Sequence, residues 1–319
     1  MINKIKKSNI LKSIGTGLLL ASFYNISLAD IIAPSDGASG DYFGYSVLQS
    51  GNFALIGAQS KNSAKGAAYV YDISNSANNY GEIKLTVSDA ANNDYFGISV
   101  SIDGDNFTVG ASGKNGGIGA AYTGTVSSMS TLDDGTSKVI KGISFKSQRD
   151  WIIGENNSGN TVTLSAGDTA NVTNTGKAIY IGKEASSNNN KLIVQGKVEA
   201  TTINVGAAGN TDNQLYIADT GDISGVDDIF LNIGSSIFFE GESDFFAAFD
   251  STELQMLDNG TWTIVNAGNY DDLIARGILD VTVDASGMLV QYGVIPEPAE
   301  VAALLGLLAL GFAAYRRRK

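Results

Sequence analysis

Apolar residues along this chain fall in short runs that alternate with polar side chains and stop at Gly, Asn, Asp or Ser. A period of two, punctuated by turn residues, predicts β-strands, and the chain reads as all-β. The pattern is also self-similar. Residues 36–73 align with residues 89–126 at a constant offset of 53, with 17 identities in 38 positions and no gap. Asp41-Tyr42-Phe43-Gly44 returns as Asp94-Tyr95-Phe96-Gly97, Gly57-Ala58 as Gly110-Ala111, and Gly66-Ala67-Ala68-Tyr69 as Gly119-Ala120-Ala121-Tyr122. In the first copy the apolar segments Tyr45–Leu48, Phe53–Ile56 and Ala67–Tyr71 are separated by turn-forming stretches. That arrangement predicts antiparallel strands, with small residues where backbones approach closely. Residues 30–135 are expected to hold these two units and no more.

A second periodicity begins near residue 150. Trp151-Ile152-Ile153-Gly154, Ile179-Tyr180-Ile181-Gly182, Ile203-Asn204-Val205-Gly206 and Leu231-Asn232-Ile233-Gly234 end in glycines spaced 28, 24 and 28 residues apart. Alternating strands at Thr161–Leu164, Leu192–Val194 and Leu215–Ile217 follow, each preceded closely by Asn160, Asn190 or Asn213. Rungs of this length with variable loops predict a parallel β-helix over residues 136–292. Its last segments, Thr261–Val265, Ile278–Val283 and Met288–Tyr292, are expected to finish or cap it, with Phe245–Phe249 as a helical turn over the open end.

The two ends of the chain differ from its body. Residues 1–29 carry Lys4, Lys6, Lys7 and Lys12, an apolar stretch from Ile14 to Phe23, and then Ser27-Leu28-Ala29. That order is a secretory signal peptide cleaved after Ala29 by signal peptidase. Residues 294–319 carry Pro296-Glu297-Pro298, an apolar run from Val301 to Tyr315, and Arg316-Arg317-Arg318-Lys319. Fifteen helical residues cover about 22 Å, short of a hydrocarbon core of roughly 30 Å, so the segment predicts a marginal transmembrane helix with its basic end cytoplasmic.

Two resemblances follow from these residues. The tail resembles the PEP-CTERM sorting signal of Gram-negative bacteria, with Pro296, Glu297 and Pro298 as its motif and Arg316, Arg317 and Arg318 as its basic cluster. The resemblance implies recognition and removal by an exosortase, a membrane anchor before cleavage, and delivery to the cell surface or an exopolysaccharide-bearing matrix. The internal repeat resembles the FG-GAP repeat, the blade of integrin-type β-propellers. Phe43-Gly44 and Phe96-Gly97 match its first motif, and Gly57-Ala58 and Gly110-Ala111 its second. Gln59 and Ser112 stand where that family has proline. Where many members carry an acidic calcium loop, this chain has Ser50-Gly51 and Asp103-Gly104-Asp105, which suit hairpin turns better than an oxygen cage for Ca²⁺. Two units are too few to close a propeller, so either the pair packs on the rest of the chain or several molecules pool their blades, and the first is expected.

Composition narrows the chemistry. The chain of 319 residues has no His and no Cys. That excludes catalytic units built on imidazole or thiolate, excludes disulfides, and limits protein-bound metals to hard cations. Residues 30–298 carry 13 basic and 32 acidic side chains, which argues against nucleic acid as a partner. Glycosidase-like carboxylate pairs were sought at Asp133-Asp134, Asp227-Asp228, Asp271-Asp272 and the series Glu240, Glu242, Asp244. Adjacent strand residues face opposite ways, so only the last set can share a face. Tyr42, Tyr95, Trp151 and Trp262 are the aromatic candidates for sugar stacking, against the ordinary reading of core or cross-strand partners. Asp219-Thr220-Gly221-Asp222 and Asp103-Gly104-Asp105 read as turns. No catalytic residue, metal site or cofactor is assigned. The chain is expected to be an exported, non-enzymatic structural or adhesive protein. A module bridged to carbohydrate by Ca²⁺ is the alternative, and a polysaccharide-degrading β-helix comes third.

Overall fold

In each repeat the turn chemistry selects hairpins. The first copy forms β1 (Phe43–Ser50), β2 (Phe53–Ala58), β3 (Ala67–Asp72) and β4 (Ile83–Thr86), paired antiparallel in that order. The second forms β5 (Phe96–Asp103), β6 (Asn106–Ala111) and β7 (Ala120–Thr125) as a separate three-stranded sheet. Ser50 pairs with Phe53 and Asp103 with Asn106, so the first hairpin of each copy closes through two residues, with Gly51 and Gly104 both at φ 55°. The structure is a computed structural model that describes residues 31–76, 78–249, 251–258 and 261–292. Ala29 and the sorting residues Pro296, Glu297, Pro298, Arg316, Arg317 and Arg318 lie outside the described residues, as does the expected transmembrane segment. Among the described residues no helix is long and apolar enough to cross a membrane.

The chain leaves the second repeat after three strands and enters a three-sided parallel β-helix. One side stacks β8 (Thr131–Leu132), a second starts with β9 (Ser137–Ile140), and a third with β10 (Ser144–Ser147). The next turn supplies β11 (Trp151–Ile153), β12 (Thr161–Leu164) and β13 (Thr169–Val172), each parallel to its predecessor. β14 (Ile179–Ile181), β15 (Lys191–Val194) and the long β16 (Lys197–Val205) follow, the last running round a corner to serve two sides. β17 (Gln214–Ile217), β18 (Asp222–Leu231), β19 (Ser236–Glu240) and β20 (Glu253–Asp258) complete the parallel stack. Alternation fixes which residues enter. In β12, β13, β15 and β17 every second side chain is buried, giving columns such as Val162, Leu192, Leu215 and Ile237.

Asparagine and glycine lock the corners. Asn160, Asn190 and Asn213 are fully buried, and each amide donates to the next, Asn160 Nδ2 to Asn190 Oδ1 at 2.9 Å and Asn190 Nδ2 to Asn213 Oδ1 at 3.0 Å. The rung-closing glycines sit directly against this column. A Cβ on Gly154 would lie 2.4 Å from Asn190, and one on Gly182 2.4 Å from Asn213, while both backbones are left-handed at φ 80° and 76°. Both the positive φ and the packed ladder demand glycine there.

Antiparallel strands cover part of each end of the stack. At the first, β4 pairs with β10 from Ile83↔Ser147 to Thr86↔Ser144, so the first repeat continues the solenoid sheet, as expected from a pair too small to close on itself, while β8 and β9 are the edge strands of the other two sides. At the last, β21 (Thr261–Ile264) lies on β20, β23 (Gly287–Tyr292) lies on β19, and β22 (Leu279–Asp284) lies on β23. Helix α1 (Phe245–Ala248) covers the interior: Phe245 is buried and Phe249 meets Phe239 edge-on at 5.0 Å. The strand Glu253–Asp258 and helix α2 (Tyr270–Ala275) went unread in the sequence, since their apolar positions are too few to show a period.

Replacing Asn190 by Ala removes both the acceptor of Asn160 and the donor of Asn213. This should cost about 3 kcal/mol, because the buried backbone N–H and side-chain amide of Asn160 both lose the Asn190 oxygen as acceptor and the Asn213 side-chain oxygen keeps only the backbone N–H of residue 190. Urea unfolding followed by tryptophan fluorescence measures it; a loss near zero would mean that the ladder contributes no net stability.

Candidate functional site

The repeat motifs meet at one junction. The second repeat lays β5 across the face of β1, β2 and β3, and its backbone approaches so closely that no side chain fits between. A Cβ on Gly57 would lie 1.9 Å from the Gly97 carbonyl oxygen, and one on Gly97 2.2 Å from that of Ala67. The Ser46 hydroxyl donates to the Gly97 carbonyl at 2.8 Å. The amides of Asn93, Tyr95 and Phe96 donate to the carbonyls of Ser63, Ala64 and Lys65 at 3.3, 2.9 and 3.2 Å. Of the predicted motif residues, Ala58, Gly57, Phe96 and Gly97 are buried in or beside this junction, and Phe43 packs edge-on against Tyr69 and Tyr71. Gly44, Gly110 and Ala111 hold the same positions in their own copies but receive no such partner.

A cation sits at the heart of each repeat, and it is a lysine. Lys61 Nζ donates to Asp41 Oδ2 and to the Asp36 carbonyl, both at 2.7 Å, and lies 3.4 Å from Asp36 Oδ1. Lys114 repeats this with Asp94 Oδ2 at 3.1 Å, the Asp89 carbonyl at 2.5 Å and Asp89 Oδ2 at 3.1 Å. Both lysines are buried. Tyr69 and Tyr122 donate their hydroxyls to Asp36 and Asp89 at 2.8 and 3.2 Å. Sequence reasoning missed these groups, although the alignment of the two copies carried the signal: Asp36, Asp41, Lys61 and Tyr69 all recur at offset 53. A charged group that recurs in step with the glycines is part of the repeat's own architecture.

The other candidates separate. Asp133 Oδ1 accepts the amides of Glu155, Asn156 and Asn157 at 2.8, 2.9 and 2.7 Å, and Asp134 accepts from Thr136. Asp228 binds the Gln255 amide, Asp272 pairs with Arg276, and Asp244 caps helix α1 through the Phe246 amide. Because Asp244 serves that cap, the expected shared face of Glu240, Glu242 and Asp244 is not formed as a strand row. Asp105 accepts both the amide and the hydroxyl of Ser127, at 2.7 and 2.6 Å, within a hairpin turn. Trp151 is buried with its indole donating to the Ser128 carbonyl at 2.9 Å. Trp262 is half out of the surface against Phe230, and Tyr42 is 65 % exposed.

One acidic cleft of about 460 Å³ is lined by Asp219, Asp222, Glu240 and Glu242, with Ile217 and Phe239 behind them. The Ser224 hydroxyl holds Asp222 below the ordinary carboxylate value, so this group stays an anion at neutral pH and is no proton donor. No lysine, arginine or tyrosine lines the cleft. Among the described residues no three acidic side chains converge as a metal-binding group.

The profile of the FG-GAP repeat matches residues 27–71 and 81–124, so the chain contains two FG-GAP repeats, the units that the alignment and the junction delimit. No curated protein and no solved structure matches the chain.

Two substitutions test the buried cations. Lys61→Met strands Asp41 beside apolar surface and should cost about 3 kcal/mol in urea unfolding. The Ala91 amide, and after it Lys114, hold Asp94 below the ordinary carboxylate value against the opposite effect of burial. A carboxyl lowered in the fold stabilises it above its unfolded value of about 4 and loses that contribution as pH falls through the folded value. Lys114→Met should therefore move the acid-unfolding midpoint to higher pH. An unchanged midpoint would show that the pair contributes nothing.

Proposed function

We propose that this protein is an exported, non-enzymatic structural or adhesive component of the cell surface or extracellular matrix. The observation that carries the reading is the pair of FG-GAP repeats, which suggest a surface or adhesion-type protein, fused through β4 and β10 to an all-β solenoid. The engaged state of the candidate carboxylates supports a passive role. Asp133, Asp134, Asp244 and Asp272 serve turns, a cap or an ion pair, and Asp228 accepts from the Gln255 side chain on the neighbouring strand; such groups are not free to hold a reacting bond. The body carries a large acidic excess, which keeps it soluble and repels nucleic acid.

Delivery is read from the two ends. Signal peptidase removes residues 1–29 after Ala29. The tail, with the pattern of a PEP-CTERM signal, holds the chain in the inner membrane until an exosortase cuts near Pro296-Glu297-Pro298. The released protein then meets exopolysaccharide. Ca²⁺-bridged carbohydrate binding is the second reading; the exposed ring of Tyr42 is the feature that favours it.

Substitution of Pro296, Glu297 and Pro298 together by Ala should leave the protein in the membrane fraction with its tail attached, while the wild type reaches the surface without it. Fractionation and mass spectrometry read both. A variant that arrives at the surface cleaved like the wild type would overturn the sorting assignment. Retention on matrix polysaccharide that a chelator abolishes would favour the bridged reading, and release of reducing ends would replace both with an enzyme.

A further inference from the structure

We propose that the protein associates with itself head to tail, β1 of one copy seating on the β6–β7 face of the next. The interface already exists once inside the chain, where the first repeat receives the second. Its receiving half is the face of Leu55, Gly57, Ala68 and Val70 together with the carbonyls of Ser63, Ala64 and Lys65. Its entering half is β5 and the amides of Asn93 and Tyr95.

Both halves occur a second time with no partner among the described residues. The receiving half recurs in the second repeat as Thr108, Gly110, Ala121 and Thr123 with the carbonyls of Gly116, Gly117 and Ile118. No hydrogen bond among the described residues reaches those three carbonyls. Ala68 is fully buried whereas Ala121 is exposed, and Ile118 projects 84 % exposed beside the empty face. A Cβ on Gly66 would lie 2.0 Å from the Phe96 carbonyl, but one on its counterpart Gly119 meets nothing closer than 3.6 Å. The entering half recurs in the first repeat. Gly97 at φ 91° lies under Ala67, while Gly44 at φ 88° has nothing within 4 Å of its Cβ position. Tyr42, Tyr45 and Val47 are 65 %, 57 % and 59 % exposed, whereas their counterparts Tyr95, Ile98 and Val100 are half-buried. The amides of Gly40 and Tyr42, equivalent to those of Asn93 and Tyr95, bond to no described residue.

A second copy of this chain is the occupant with the matching shape, because the two surfaces are copies of surfaces already mated. The open halves differ from the mated ones in side chains: Thr108 and Thr123 stand where the internal interface has Leu55 and Val70, Gly116, Gly117 and Ile118 where it has Ser63, Ala64 and Lys65, and Tyr45 where the entering strand has Ile98. Thr keeps the branched outline of Val and adds a hydroxyl, so the open face tolerates water and the contact between copies is weaker than the internal one. A contact between different patches is heterologous and builds rings or open filaments. None of this needs export or sorting, so its failure and theirs are separable.

Sedimentation velocity on the purified protein over about a hundredfold range of concentration should give a mass that rises with concentration. Val47→Arg blocks the entering half and Thr123→Arg the receiving half, and each variant alone should stay monomeric. An equimolar mixture should form one-to-one dimers and nothing larger, since each retains the half the other has lost. Both side chains lie at the surface, and circular dichroism checks that the fold persists; Tyr45→Glu and Ile118→Asp repeat the test if either arginine unfolds the chain. A wild type monomeric throughout, single variants that still assemble, or a mixture that stays monomeric would each overturn the proposal.

Discussion

Each rung of this solenoid satisfies its backbone only through the rungs beside it, so both ends of the stack need a strand to pair with. The same device covers one side at each end: an antiparallel strand laid on a parallel edge, β4 on β10 at one end and β23 on β19 at the other. The first closure is reinforced from outside the sheet. Arg149 donates to the Gly81 carbonyl at 2.9 Å and faces Asp72 at 3.8 Å, and buried Glu82 accepts from Ser35, Tyr71, Asn79 and Gln148. A repeat unit thereby becomes the cap of an architecture unlike its own.

The repeats obey a related rule. Each offers one face to receive a neighbour and one strand to enter a neighbour, and small residues set the distance at which the backbones meet. Within the chain the rule is met once. The remaining halves stand at the surface, unmatched among the described residues. Lys61 and Lys114 are held in buried pairs with Asp41 and Asp94, so these charges serve the fold, and what the repeats leave open is a shape that can be continued.

Much of this was legible in the sequence because backbone constraints write themselves as recurring residues. The offset of 53 delimits both repeats, and the rung-closing glycines with Asn160, Asn190 and Asn213 mark the solenoid before any coordinate is known. The alternation of Thr161–Leu164 and its successors places strands where β12, β15 and β17 form. What stayed hidden was pairing across distance. Nothing local in Ile83–Thr86 announces that it joins the solenoid edge, and nothing in Thr131–Leu132 announces that it has left the second repeat. The carboxylate series ending at Asp244 misled because a helix cap and a strand face use the same residue type. The lysines buried in each repeat were overlooked because a charged residue is usually solvent-exposed, although their recurrence was visible.

Hydrogen exchange measured by mass spectrometry at low and at high protein concentration tests the central claim most directly, that the first repeat continues the solenoid sheet through β4 and β10 while the open repeat surfaces pair between copies. The account predicts strong protection of Ile83–Thr86 and Ser144–Ser147 at every concentration, and protection of Tyr42–Leu48 and Gly116–Thr123 that grows as the protein is concentrated. Rapid exchange across the first pair of segments, or no change with concentration in the second, would contradict it.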